Sequence, residues 1–243
     1  MDLAQIAAQF EEVLGHECSP VAVFLLGPGV DLGPFAEWRP LQGHRYCQAL
    51  MRARRGEAVT LGARGLACPA AAAAFGFRPL PAQLANGKGL VGFGIVAEEG
   101  FGRAMFEGMS KLPNGSLQLL ALSRLRLAPW LPDVVVVEGP AESLMWLLLA
   151  DLNVARGSRR SSDTAVLQAT CVDATVIPHL EKRLDYSLGC YGCREATDLA
   201  PSETVLGFPG ERLAPLAAAV GRLAERAVAR SRTKSAFHRL VTR

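Results

Sequence analysis

The segment Pro132-Asp-Val-Val-Val-Val-Glu-Gly139 constrains the fold of this chain more than any other stretch. Four consecutive β-branched residues between Pro and Gly predict a strand, and the absence of polar alternation predicts burial on both of its faces. Such a strand belongs to a sheet with helices packed on it. A helix is expected directly after it, over Ala141–Leu152.

The remaining periodicities predict a mixed α/β pattern. Val21–Leu26 is a short apolar run ended by Gly27-Pro28-Gly29, a buried strand and a turn. Helix is expected over Arg45–Arg55, strand over Ala58–Leu61, and helix over Pro69–Phe75, where Pro69 suits a first helical position. Leu90–Ala97 reads as a strand, Phe101–Met109 as a helix, and Lys111–Ser116 as a turn-rich connection. Gly157–Asp163 is a polar loop, Glu203–Phe208 a strand, and Glu211 to about Arg230 an amphipathic helix with Leu213, Leu216, Ala217, Val220 and Leu223 on its stripe.

Two halves, about 15–115 and 128–225, echo each other. Each has a strand ending in Gly-Pro, at Gly27-Pro28 and Gly139-Pro140, and then a cysteine opening a helix, Cys47 or Cys171. A Thr/Ser-Leu-Gly step follows, at Thr60-Leu61-Gly62 and Ser187-Leu188-Gly189, with Cys68 or Cys190 nearby. Each half is expected to close with a strand and helix, over Leu90–Met109 and Thr204–Leu223. The fold class expected is α/β or α+β: one domain over 1–243, built of two pseudo-symmetric halves with a mixed sheet and flanking helices, and a basic tail at 226–243.

Half of the residues are apolar and a fifth charged, which excludes a disordered chain. The longest apolar runs are too short to span a bilayer. The N-terminus reads as an amphipathic helix with Leu3, Ile6, Ala7 and Phe10 on one face and not as a signal peptide, so a cytoplasmic location is expected. From Arg222 to Arg243 seven Lys/Arg stand against one acid, Glu225. That tail has little aromatic interleaving and no nucleic-acid motif before it, which favours a solvated helix end over a nucleic-acid site.

In a reducing compartment, clustered cysteines point to metal binding or thiol redox chemistry rather than disulfides. Cys47 and Cys68 are 21 residues apart, and Cys171 and Cys190 are 19 apart. If the halves pack about a two-fold axis, the four meet near it and offer four thiolates, a set suited to an iron–sulfur cluster or a tetrahedral zinc ion. Cys68 precedes Pro69 and is expected at a helix N-cap, where backbone N–H groups favour the thiolate. Cys190-Tyr-Gly-Cys193 is a CxxC. Read as a Gly-rich turn, it fits a thioredoxin-like motif poorly, because that motif directly follows a strand and opens a helix.

The segments Tyr46-Cys47-Gln48, Cys68-Pro69-Ala70, Pro132-Asp-Val-Val-Val-Val137, Thr170-Cys171-Val172, Ser187-Leu-Gly-Cys-Tyr-Gly-Cys-Arg194 and Val205-Leu-Gly-Phe-Pro-Gly210 occur in this order. Together they resemble an uncharacterised bacterial and archaeal family, domain of unknown function one-six-nine, over roughly residues 15 to 225. The resemblance implies that Cys47, Cys68, Cys171 and Cys190 are typically cysteine, followed by Gly192 and Arg194, and that Cys193 varies. It implies an accessory role for Cys193 and supplies no activity.

His44, one helical turn before Cys47, is a further candidate ligand or proton donor, with weaker cases for His16 and His179; His238 lies in the tail. Arg194 is a candidate to hold an anionic substrate, since a guanidinium matches carboxylate and phosphate geometry. Gly87-Lys-Gly-Leu-Val-Gly-Phe-Gly94 lacks the context of a phosphate loop and reads as a flexible loop. The leading expectation is one [4Fe-4S] cluster on Cys47, Cys68, Cys171 and Cys190, serving electron transfer or chemistry on a small substrate. The expected partners are that substrate or a redox protein, with neither membrane nor nucleic acid, and oligomerisation is left open. The alternatives are structural zinc, a small-ligand-binding module, or a metal-free thiol enzyme using Cys190 and Cys193.

Overall fold

In the computed structural model, which describes residues 2–241, side chains of the central strands alternate between two separate cores. Val21, Val23 and Leu25 of β1 (Val21–Leu26) enter one core, and Ala22, Phe24 and Leu26 enter the other. Val134 and Val136 of β5 (Val134–Pro140) split from Val135 and Val137 in the same way. Successive strand residues point to opposite faces, so an all-apolar strand is stable only with a layer on each side.

The other strands are β2 (Arg39–Pro40), β3 (Val59–Gly62), β4 (Leu119–Arg124), β6 (Asp185–Ser187) and β7 (Glu203–Pro209). They form one seven-stranded sheet in the order β2-β3-β4-β1-β5-β7-β6. All pairings are antiparallel except β2 with β3, so the sheet is mixed and the α/β class holds. The helices are α1 (Leu3–Leu14), α2 (Tyr46–Arg54), α3 (Pro69–Ala74), α4 (Ala82–Ala85), α5 (Lys88–Gly92), α6 (Glu99–Glu107), α7 (Ala141–Val154), α8 (Ile177–Glu181), α9 (Tyr191–Ala196), α10 (Leu213–Leu223) and α11 (Ala229–Val241). A π-helical segment, Ala169–Val176, runs directly into α8.

Residues of α1, α7 and α10 fill the core around Phe10, Phe24, Leu147, Phe208 and Leu216. Residues of α2, α3 and the π-helical segment fill the other, around Tyr46, Leu50, Phe75 and Val172. No helix among the described residues is long and apolar enough to cross a membrane. Of the basic tail, α11 continues to Val241, and Thr242 and Arg243 lie outside the described residues.

Outward from the central β1/β5 pair, the strands run β1-β4-β3-β2 on one side and β5-β7-β6 on the other. The helices do not follow that parallel: α3 to α6 lie between β3 and β4, whereas only α9 lies between β6 and β7. The strand expected over Leu90–Ala97 is absent. Lys88–Gly92 is the short helix α5, and Gly87 before it has a φ of +84°, outside any strand conformation. A Cβ at Gly87 would also overlap the carbonyl of Glu99, so this glycine lets the turn lie against α6. β4, a strand the sequence did not suggest, lies beyond the expected 15–115 span.

Candidate functional site

Four chain segments deliver five of the six cysteines to one cavity of about 320 Å³. Cys47 is the second residue of α2. The helix start is fixed by Gln48, whose Oε1 accepts the Arg45 N–H at 2.9 Å. Cys68 occupies the N-cap of α3, with Pro69 at the first helical position. A short bridge aligns the two segments: the His44 N–H donates to Gly65 O at 3.0 Å and the Ala67 N–H to His44 O at 2.9 Å.

Cys171 lies in the first turn of the π-helical segment, a geometry rare in proteins and frequent at functional sites. A buried relay ties it to α2. The Thr175 hydroxyl donates to Thr170 O at 2.7 Å, which leaves the Tyr46 hydroxyl to donate to Thr175 Oγ1 at 2.9 Å. Gly207 of β7 allows the segment to sit this close to the sheet, because a Cβ there would overlap the Ala174 carbonyl.

Cys190 is the N-cap of α9, and its Sγ accepts the Cys193 N–H at 3.2 Å. The Cys190 thiol donates to Cys193 Sγ at 2.9 Å, and Thr170 Oγ1 stands 3.4 Å from the same sulfur. Cys190 thus lies at the end of the glycine-containing bend Leu188–Cys190 that follows β6, whereas Tyr191-Gly192-Cys193 opens α9, so the expected Gly-rich turn covers only the start of the CxxC. Cys193, expected as an accessory thiol, lines the same cavity as the other four. The signal for this was present in the sequence: an i, i+3 pair whose first member caps a helix turns both sulfurs toward one side.

Polar contacts clamp α2 against α9. Arg45 Nη1 donates to Gly192 O at 3.0 Å and pairs with Glu195 at 3.2 Å, and Gln48 Nε2 donates to Ala196 O at 3.3 Å. At the far end of α2, Arg54 pairs with Asp198 at 2.7 Å, Glu203 at 3.3 Å and the buried Glu138 at 3.6 Å.

Burial pushes the Cys171 thiol well up, and the neighbouring Cys68, Cys193 and Cys190 add to the shift. The hydrogen bond to Cys193, followed by burial, pushes Cys190 up as well. Cys193 rises to about 12: the bond from Cys190 favours its thiolate, but contact with Cys47 and burial outweigh it. These three thiols hold their protons at neutral pH, so a metal must displace protons to bind them.

Several expected residues lie elsewhere. Arg194 does not line the cavity; its guanidinium donates to the carbonyls of Ala200 at 2.6 Å, Leu188 at 2.5 Å and Glu203 at 2.8 Å. It pins the loop around α9, which accounts for an arginine there without a substrate. His44 is also outside the lining, its Nδ1–H donating to Gln42 O at 2.7 Å. His16 and His179 do not line the cavity, and Cys18 is buried in the opposite core. Among the described residues, no group of three or more His, Cys, Asp or Glu side chains is arranged as it stands to hold a metal ion.

An apolar part of the wall, Leu84, Leu90, Phe93, Ile95 and Phe106, comes from the α4–α6 region, where a strand was expected over Leu90–Ala97. Tyr191 and Phe93, 65% and 73% exposed, lie at the mouth.

The model of the DUF169 family, described as an uncharacterised ArCR, matches residues 9–219. The chain is similar to the uncharacterised protein MJ0308 of Methanocaldococcus jannaschii, with 29% identity over 154 residues, 63% of this chain. The match spans 65% of that relative, less than two thirds of its length. No solved structure matches the chain.

Proposed function

This chain belongs to the DUF169 family, whose description carries no activity, and from its cysteine-lined cavity we propose that it is an iron–sulfur protein. One [4Fe-4S] cluster would be held by Cys47, Cys68, Cys171 and Cys190, with Cys193 as a fifth thiol beside it. The observation that carries this reading is the convergence of five thiols from four segments on one cavity whose other charged lining residues, Arg45 and Glu195, pair with each other.

The donor set fits the group. Soft thiolates select iron–sulfur clusters, zinc or cuprous copper over hard cations. Ligands of a cluster stand farther apart than those around a single ion, so thiols that line one cavity could hold a cluster without meeting at one point. When bound, the cluster would supply electron transfer, or Lewis acidity if one iron lacked a protein ligand. The chain supplies the rest. The Cys193 N–H hydrogen-bonds Cys190 Sγ, Thr170 contacts Cys193, and apolar side chains line one side of the cavity. Such contacts tune the potential of a bound cluster. The proposed partners are a small-molecule substrate or a redox protein, in a reducing cytoplasm.

A second reading is favoured by one observation, the 2.9 Å separation of Cys190 and Cys193 at the start of α9. Here the two thiols would form a disulfide, releasing two protons and passing two electrons to a disulfide or quinone oxidant. Against it, an attacking thiol is usually acidified, and both of these are shifted the other way.

Single Cys→Ser variants reconstituted anaerobically with iron and sulfide separate the readings. Cluster binding predicts iron loss from the Cys47, Cys68, Cys171 and Cys190 variants, and retention by Cys18→Ser. Iron retained by Cys190→Ser but lost from Cys193→Ser would overturn the ligand assignment. Iron bound by no variant and not by the parent, with zinc in its place, would overturn the cluster.

A further inference from the structure

The α4–α6 region adds to the cavity a wall that ligating cysteines do not need. Leu90 and Phe106 are buried in it, and Leu84 and Ile95 are half-buried against the same space. The region has no equivalent between β6 and β7, where α9 alone connects the strands.

The polar groups on the lining narrow what the space can accept. Arg45 and Glu195 neutralise each other, so no unpaired charge faces a ligand. Gln168 and Tyr191 also line the cavity, and neither side chain has a hydrogen-bond partner among the described residues. Gln168 has a φ of +58°, a left-handed conformation that a residue with a Cβ rarely adopts and that recurs at ligand clamps. Pockets for small molecules combine this kind of apolar wall with a few placed polar groups.

We propose that this chamber binds a small uncharged molecule, its apolar body against Leu84, Leu90, Ile95 and Phe106 and its one amide, carbonyl or hydroxyl group toward Gln168 and Tyr191. The inference goes beyond the cluster reading and stands on the wall and its polar groups, with or without a metal. A charged version of the same ligand is rejected, because its charge would be desolvated without a partner.

Calorimetric titration of the full-length protein with 1-naphthamide, and with its charged counterpart 1-naphthoate, tests this. The amide is expected to bind saturably at one site, and the carboxylate at least about tenfold more weakly. Gln168→Ala is expected to weaken the amide up to about tenfold through loss of one hydrogen bond. Ile95→Glu, which sets a carboxylate in the wall, is expected to weaken it by about tenfold or more. Phe93→Ala, at an exposed position where folding is not at risk, is expected to weaken it by about threefold. No saturable amide binding, equal affinity for amide and carboxylate, or unchanged affinity in both Phe93→Ala and Gln168→Ala would overturn the proposal. Iron is measured on the same samples: amide binding by an iron-free protein upholds the chamber and counts against the cluster alone.

Discussion

Substituting Gly207 by Ala is the most economical way to disturb the site from outside it. Gly207 lies on β7 with the π-helical segment against it, and the added Cβ would stand 2.9 Å from Ala174 Cα and nearer still to its carbonyl. Carbon atoms pack best at about 3.5 Å or more, so the segment must retreat by at least about 0.6 Å. Backbone cannot rotate away as a long side chain can. Cys171 sits on the same segment, three residues before Ala174, and moves with it. Overpacking of this kind costs about 1–3 kcal/mol, partly offset by the about 0.5–1 kcal/mol gained when Gly is replaced within a strand. The expected net loss is therefore about 1–2 kcal/mol in urea unfolding followed by circular dichroism, accompanied by reduced iron loading. Gly139→Ala serves as the control, since its Cβ would meet Cys18 in the opposite core. It is expected to destabilise without changing iron loading. A Gly207→Ala protein with unchanged stability and full iron would refute the argument that this contact sets the position of Cys171.

Burial drives the carboxyl of Glu138 up to about 7, with Arg54 partly offsetting it. The folded state then binds a proton that the unfolded chain releases near pH 4.5. This contribution is fully present below that pH and is lost as the pH rises toward 7, so Glu138→Gln should flatten the stability profile across this window, as urea melts at successive pH values would show. A profile as steep as the parent's would assign the dependence to other groups. Arg194→Ala removes three hydrogen bonds to backbone carbonyls and should cost about 1–3 kcal/mol in thermal or urea melts, leaving 1-naphthamide affinity within twofold. Tyr46→Phe breaks the relay through Thr175 and should cost about 1 kcal/mol by the same measurement.

The sequence made the central strands legible because their chemistry leaves few options. Val21–Leu26 and Val134–Val137 are apolar on both faces and bounded by Gly or Pro, and both lie at the middle of the sheet. β4 was not legible: Leu119-Leu-Ala-Leu-Ser-Arg124 is made mostly of residues that favour helix, and only pairing with β1 on one side and β3 on the other makes it a strand. The stretch Leu90–Ala97 erred in the opposite direction, because apolar content alone does not separate a strand from a short buried helix between glycines.

Four of the cavity cysteines were singled out from the sequence by their similar pair spacings, 21 and 19 residues. Cys193 was legible only through its i, i+3 spacing from Cys190, because the six-residue helix α9 that turns both sulfurs to one side is short. The apolar wall was illegible for another reason: Leu84, Ile95 and Phe106 become neighbours only through the packing of α4, α5 and α6. Arg194 carried the chemistry of an anion site, but its loop presents three carbonyls within reach, and a guanidinium satisfies several at once.

The most direct test of the account is the iron and acid-labile sulfide content of the protein purified without oxygen, measured with its visible spectrum. Roughly four iron and four sulfide per chain are expected, with broad absorption near ~400 nm, as Cys₄-ligated [4Fe-4S] centres show. A colourless protein without iron or sulfide, even after anaerobic reconstitution, would contradict the account.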